Sequence, residues 1–148
     1  MINMAFTTRI PLAVMIAMGI KQWENRSAMP SPANGQCAMT CSKSSDEREY
    51  TNFLAWAKNC FHVDAFAALP TWKQVSVWRG KLIAVCDYEA SYIPGDAVWN
   101  EGYAVWWHLI NVHLLKEPIQ CRGSVGMWRL PNDLSKTLSR TVDSSGEQ

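Results

Sequence analysis

Lys21, Glu24 and Arg26 are three charged residues that lie close together along the chain. A lysine in a cleft with apolar walls is less inclined to stay charged and becomes a usable base or nucleophile, and Glu24 could orient it or relay a proton. In a regular strand residues 21 and 24 point to opposite faces, so this pair requires Lys21 to lie in a turn. The alternative is that Glu24 and Arg26, on one face, form an ordinary ion pair that holds the strand.

Basic side chains at three separate points of the chain could hold a phosphate group. They are Arg26, Lys43 and Arg122. A guanidinium can bind a phosphate through two parallel hydrogen bonds, although a solvated surface is the usual place of such residues. Ser42 could hydrogen-bond a base or a reacting carbonyl, but a serine that ends a strand is more often a turn or cap residue.

The eight tryptophans divide by context. Trp56, beside the apolar face of a predicted helix, and Trp128, in a predicted strand, are expected in the core. The remaining candidates for stacking a nucleic-acid base are Trp23, Trp99, Trp106 and Trp107. Because neighbouring residues of a strand point to opposite faces, only one of Trp106 and Trp107 can line a given cleft.

The cysteines are odd in number and include no C-x-x-C pair: Cys37, Cys41, Cys60, Cys86 and Cys121. This pattern disfavours a disulfide framework and a common zinc site, and it fits a reducing cytoplasm. The first three of them could be assembled on paper with His62 into a zinc site, but their irregular spacing favours buried thiols. His108 and His113 fall on opposite faces of a strand, so we predict no metal and no cofactor.

Composition sets the limits within which these residues act. The chain has 148 residues, 48% of them apolar, and a formal net charge of +1, which suits one folded domain and excludes binding driven by bulk charge. Residues 1–45 nevertheless carry four basic residues against Glu24 alone. An anionic ligand is therefore expected at the N-terminal third.

One apolar stretch, residues 10–20, resembles a secretory signal because Arg9 precedes it. It is too short to span a bilayer, and no small-x-small cleavage site follows it. Pro11 near its start and Gly19 near its end predict a two-turn helix instead. We expect no membrane association.

Further elements follow from periodicity and breakers. Ser44 or Ser45 is predicted to cap a helix whose first turn is acidic and whose apolar face includes Tyr50 and Ala57. Strands are predicted at residues 21–27, 36–42, 80–87, 103–114 and 123–130, with Pro118 ending the region of the fourth strand. The order, which begins with a helix and has no regular crossovers, predicts an α+β fold on a small, mostly antiparallel sheet or barrel decorated with helices.

Three stretches in the right order resemble the ASCH family of the PUA-like superfamily. Residues 19–26 match its G-x-K-x-x-E-x-R pattern, residues 79–85 resemble its glycine-led central strand, and residues 116–131 resemble its closing Gly-x-Trp segment. The resemblance implies a small PUA-like β-barrel over residues 1–131, followed by a short helix and polar tail over residues 132–148. It also implies a cleft lined by the first motif.

The resemblance implies a protein that binds RNA, single-stranded nucleic acid or a modified nucleoside. The motif residues Trp23, Asn25 and Arg26 would then contact the ligand, together with Ser42, Lys43, Trp107 and Arg122. The alternative function is a small hydrolase, a ribonuclease or an amidohydrolase on N-acylated nucleosides such as N4-acylcytidine, with Lys21 and Glu24 as catalytic residues. In the amidohydrolase branch the lysine is the central catalytic group, and Glu24 stands where that branch tends to have a threonine.

Overall fold

The computed structural model describes residues 1–61 and 69–146, with side chains described through residue 141. In this part of the chain the fold is α+β, with four α-helices and one six-stranded sheet. In chain order the elements are β1 (Met4–Thr8), α1 (Ile10–Ala17), β2 (Trp23–Arg26), β3 (Asn34–Cys41), α2 (Glu47–Cys60), α3 (Trp72–Val75), β4 (Lys81–Ser91), β5 (Val105–Gln120), β6 (Met127–Arg129) and α4 (Asn132–Gly146). None of the described helices is long and apolar enough to cross a membrane.

The sheet is mixed and curls into a half-barrel. Its strand order is β2-β5-β4-β3-β1-β6, and β1 pairs with β3 in parallel while the other neighbours pair antiparallel. The prediction of a mostly antiparallel sheet is therefore corrected to a mixed one. The parallel pair arises because α1 and β2 lie between β1 and β3 and return the chain to the same end of the sheet.

Strand β1 is absent from the predicted order, which wrongly begins with a helix. It lies inside the sheet with a partner on each side, and Ala5, Phe6 and Thr8 are all buried. A short strand that is covered on both faces has no regular alternation of polar and apolar residues, which is why periodicity does not reveal it.

The predicted first helix is confirmed as α1. Pro11 lies in its first turn, and Gly19, just beyond its end, has a φ of +76° that favours glycine. The backbone N–H groups of Ile20 and Lys21 then both donate to the carbonyl of Met15. This turn delays the start of β2 to Trp23, so Lys21 lies outside the strand.

Helix α2 is also confirmed, but its predicted cap is wrong. Asp46 caps the helix by accepting a hydrogen bond from the N–H of Glu49 at 2.8 Å. Ser45 is buried, and its hydroxyl accepts from the N–H of Ile10 instead, which ties the start of α1 to the start of α2. The serine is used for contact between helices and so does not serve as the cap.

Strand β5 is longer than predicted, because Pro118 does not end it. The register jumps from Leu114 opposite Ala84 to Ile119 opposite Leu82, so several residues of β5 face one residue of β4. Pro118 lies in this bulge, where the missing N–H removes no regular ladder bond. The last predicted strand is shorter than expected, and residues 121–126 before β6 form a loop.

Helix α4 is longer than the short helix expected after residue 131. Leu138 is buried in an apolar cluster with Ile2, Leu82 and Leu130, and the hydroxyl of Ser135 donates to the carbonyl of Ile2 at 2.6 Å. The helix therefore packs against the apolar cluster beside the start of β1.

Candidate functional site

A chain of alternating charges connects the turn before β2 to the end of that strand. The Lys21 ammonium lies 3.0 Å from Glu24 Oε1, and Arg26 Nε lies 2.9 Å from Glu24 Oε2. We call Lys21, Glu24 and Arg26 the buried charge chain. The two arrangements that the sequence offered as alternatives are both present. Lys21 lies in the turn and contacts Glu24, and Glu24 also pairs with Arg26.

Lys21 and Glu24 of the buried charge chain are almost fully buried, so the fold depends on the contacts that compensate their charges. Lys21 is 3% exposed and Glu24 is 5% exposed. The Lys21 ammonium also donates to the carbonyl of Trp23 and lies 5.0 Å from the ring centroid of Trp99. A buried charge is tolerated only when it is paired and hydrogen-bonded, and these contacts provide both.

Arg26 extends the chain to the surface and across the opening of the half-barrel. One terminal nitrogen of its guanidinium donates to the carbonyl of Thr7 in β1 at 3.0 Å, while Nε is held by Glu24. The guanidinium lies over the rings of Trp107 and Phe6, with centroid distances of 5.3 Å and 5.7 Å. Its side chain is 24% exposed. The remaining donors are thus fixed in position and reachable by a ligand.

Arg26 lines a cleft of about 840 Å³ at this opening, which we call the cationic cleft. The described residues that line it are Thr7, Arg26, Cys41, Ser42, Lys43, Gly80, Arg122, Gly123, Ser124, Val125 and Gly126. Three of these side chains are basic and none is acidic. The structure therefore brings together the three basic residues that the sequence proposed as a phosphate clamp.

The loop 121–126 forms one wall of the cationic cleft and is held by Thr7. The Thr7 hydroxyl oxygen accepts hydrogen bonds from the N–H of Ser124 and from Trp128 Nε1, both at 3.2 Å, and contacts the Thr40 hydroxyl at 2.8 Å. A Cβ on Gly123 would lie 2.7 Å from the same oxygen. Glycine at this position lets the loop approach β1 closely enough to place Arg122 in the cleft.

The opposite wall follows β3. Lys43 crosses Gly80, where a Cβ would lie 2.7 Å from the lysine side chain, so Gly80 gives Lys43 its path into the cleft. Ser42 has its hydroxyl 2.7 Å from that of Ser44 and accepts from the N–H of Ser44, which is the turn role that the sequence also allowed. Burial raises the pKa of Cys41 to about 12, so this thiol stays neutral at physiological pH.

None of the tryptophans proposed as base platforms lines the cationic cleft. Trp107 and Trp106 are buried, at 2% and 4% exposure, and Trp23 stacks on His108 with ring centroids 4.3 Å apart. Trp99 is also buried, with its ring 5.3 Å from that of Phe61. No aromatic side chain of the described residues lines the cleft.

Trp56 departs from its predicted place in the core, since it is 41% exposed. It lines a smaller pocket of about 300 Å³ that also contains Lys21. The other described lining residues of this aromatic pocket are Leu12, Phe53, Val98, Trp99, Asn100 and Glu101. Lys21 thus lines the aromatic pocket and also a second pocket of about 500 Å³ between the end of α1 and β5, whereas Arg26 lines the cationic cleft.

Asn25 has a supporting position. Its amide nitrogen donates to the carbonyls of Tyr103 and Val105, and its oxygen accepts from the N–H groups of Glu101 and Tyr103, all at 2.8–3.0 Å. The side chain is 1% exposed. These contacts join β2 to the first residue of β5 and to the loop before it, so the structure does not bring Asn25 to the cleft.

The cysteines do not assemble into a metal centre in the described part of the chain. Cys37 and Cys86 are buried and face each other across β3 and β4, with their sulfurs 3.5 Å apart. The hydrogen bond with Cys86 and burial raise the pKa of Cys37 far above its usual value. Cys60 is exposed, and His62 of the zinc alternative lies outside the described residues.

Thr7, Gly80, Gly123 and Gly126 are components of the site that sequence reasoning missed. Gly80, Gly123 and Gly126 lie in the stretches that resemble the ASCH family, but nothing in the sequence placed these glycines or Thr7 at the cleft. No protein-family model matches the chain, and no curated protein is significantly similar to it.

Proposed function

We propose that the cationic cleft binds phosphate groups of a nucleotide or of single-stranded nucleic acid, RNA in particular. The observation that carries the proposal is the convergence of Arg26, Lys43 and Arg122, from three distant segments, on one cleft without acidic lining residues in the described chain. Phosphate contacts of this kind supply most of the affinity in nucleic-acid binding and do not depend on base sequence.

The way in which Arg26 is held supports the same proposal. Glu24 and the carbonyl of Thr7 fix two sides of its guanidinium, so little side-chain freedom remains to be lost when an anion binds. Within the described residues neither Lys43 nor Arg122 forms an ion pair. Their charges are therefore not neutralised by the protein and remain available to an anion.

Membership of the ASCH family in the PUA-like superfamily is part of this proposal. The curled half-barrel and the contact of all three motif charges support it. We propose that the half-barrel of this chain corresponds to the barrel of the family, and that the cationic cleft lies at its opening. A cytoplasmic location stays a prediction from the cysteine pattern.

Salt dependence of binding to a short single-stranded RNA with a 3′-fluorescein label tests the function. Three phosphate contacts predict that log K falls with log salt with a slope of about −2, measured by fluorescence anisotropy. Arg122→Ala should make this slope shallower by about 0.7. Arg129→Ala is the matched control, because Arg129 is exposed in β6 and does not line the cleft.

Binding that does not change with salt, or that weakens equally in the Arg122 and Arg129 variants, would contradict the proposed site. Both variants remove one exposed positive charge, so a difference between them reports the position of the charge and not the net charge of the protein.

A small hydrolase, acting on an N-acylated nucleoside such as N4-acylcytidine or on RNA, is the second candidate. It is favoured by the position of Lys21, which lines the aromatic pocket and contacts the buried Glu24 at 3.0 Å. In that pocket Trp56 or Phe53 could hold a base while the Lys21 ammonium stabilises a developing oxyanion, and Glu24 would orient Lys21 from behind the pocket wall.

Turnover of N4-acetylcytidine and related N-acylated nucleosides tests this candidate. Lys21→Ala should abolish turnover, and Lys21→Arg, which keeps the charge facing Glu24, controls for loss of the fold. Equal rates in wild type and in both variants would remove Lys21 from any reaction.

A further inference from the structure

We infer that the cationic cleft accepts a terminal phosphate, a phosphomonoester, in preference to the phosphodiesters inside a nucleic-acid strand. The inference rests on the proposed function and specifies which kind of phosphate the same site prefers. Three features of the cleft carry it: its charge, its lack of aromatic lining, and its glycine-containing wall.

The charge of the cleft favours the more highly charged phosphate. A phosphomonoester carries about −1.5 to −2 at pH 7, whereas a phosphodiester carries about −1. Arg26, Lys43 and Arg122 line the cleft, and none of its described lining residues is acidic. Each basic group attracts the additional charge of a monoester, and nothing on the described walls offsets that gain.

The lining of the cleft disfavours the interior of a strand. Proteins that bind single strands along their length stack successive bases on aromatic side chains. The aromatic rings nearest to Arg26, those of Phe6 and Trp107, lie beneath its guanidinium and are almost fully buried. A strand that crossed the cleft would find no described ring on which to stack, whereas a terminal phosphate needs none.

The wall formed by loop 121–126 provides donors suited to a group with three free oxygens. In the described part of the chain, the backbone N–H groups of Gly123, Val125 and Gly126 have no protein acceptor. The N–H of Ser124 is occupied by Thr7, which holds the loop in place. Unpaired backbone donors in a cleft that is also lined by the fixed guanidinium of Arg26 are the kind of groups that bind phosphate.

The test compares two short single-stranded RNAs that differ only at the 5′ end. Both carry a 3′-fluorescein label, and one has a 5′-phosphate while the other has a 5′-hydroxyl. Because a charge-assisted contact is gained, we expect the phosphorylated RNA to bind the full chain about tenfold more tightly in anisotropy titrations. Cytidine 5′-monophosphate, added as an unlabelled competitor, shows whether a free nucleotide suffices.

The Arg122→Ala variant should lose the preference for the 5′-phosphate, and Arg129→Ala should keep it. Competition by the mononucleotide identifies a free nucleotide as a source of the phosphate, and failure to compete identifies the end of a strand; both results support the inference. Equal affinities for the two RNAs, both weakened by Arg122→Ala, overturn it and leave the proposed function standing. If neither RNA nor the mononucleotide binds, both proposals fail.

Discussion

The buried charge chain and the cationic cleft lie side by side and share Arg26, yet their charges have opposite surroundings. Lys21 and Glu24 are buried, and Glu24 forms ion pairs with both Lys21 and Arg26. Lys43 and Arg122 are exposed and form no ion pair within the described residues. The difference indicates that the buried charges maintain geometry, while the exposed ones remain available to a ligand.

Arg26 connects the two regions because it belongs to both. Glu24 holds Nε, and the carbonyl of Thr7 in β1, on the other side of the half-barrel, accepts from a terminal nitrogen. The motif that resembles a catalytic constellation therefore also holds in place the arginine that we propose binds an anion. In this account Lys21 is a positioning residue for the cleft, acting through Glu24.

Removal of the central carboxylate should have the largest effect. Glu24→Gln leaves the Lys21 ammonium buried without a counter-charge, so we expect the free energy of unfolding to fall by about 3–5 kcal/mol in urea titrations. Glu89→Gln, at an exposed position of β4, is the matched control and should change it by less than about 0.5 kcal/mol. A Glu24 variant as stable as the Glu89 variant would remove the structural role of the buried charge chain.

A methyl group at Gly123 should have the next largest effect, and it acts on the cleft. In Gly123→Ala the new Cβ would lie 2.7 Å from Thr7 Oγ1, so the loop must shift and Arg122 with it. We expect a loss of about 1–3 kcal/mol of stability, together with weaker binding of the labelled RNA. Unchanged stability and binding would show that this wall is not closely fitted to β1.

The buried thiol of Cys41, which lines the cationic cleft, should have a smaller effect on stability, and this effect depends on pH. Burial raises the pKa of Cys41 to about 12 from an ordinary value of 9.0. Between these values the unfolded chain loses the proton while the folded protein keeps it, so stability falls as pH rises above about 9, by up to about 1.4 kcal/mol per pH unit for this group.

Urea titrations at pH 8 and pH 10 measure this slope. Cys41→Ala should make the decline shallower, whereas Cys60→Ala, at an exposed cysteine, should not. An identical pH dependence in wild type and in the Cys41 variant would mean that water reaches the Cys41 thiol in the folded protein.

Local signals in the sequence predicted α1 and α2 well, whereas α3 was missed and α4 was expected to be shorter. Pro11 and Gly19 bracket α1, and an acidic first turn with apolar spacing marks α2, because caps and periodicity act within a few residues. Strand β1 and the passage of β5 through Pro118 escaped prediction because both depend on partner strands far along the chain. The parallel pairing of β1 with β3, which makes the sheet mixed, also depends on a partner strand far along the chain.

The site was predictable in its residue types but only partly in its arrangement. The three basic residues proposed as a phosphate clamp do line one cleft, but of the motif charges only Arg26 lines it, since Lys21 lines the aromatic pocket and Glu24 lies between them. The tryptophans were expected beside them as base platforms, but the core takes up Trp106 and Trp107 because large apolar rings gain most from burial. Thr7 carries no sequence signal, since its role depends on the distant loop 121–126.

The most direct test of the cationic cleft is to map where a phosphate ligand binds. Backbone amide resonances of the full chain, followed by NMR during titration with cytidine 5′-monophosphate, should shift in loop 121–126 and around Ser42 and Lys43. The same titration of Arg122→Ala should produce much smaller shifts, and that of Arg129→Ala should match the wild type. Shifts confined to the aromatic pocket around Trp56 and Trp99, with none in loop 121–126, would contradict the account.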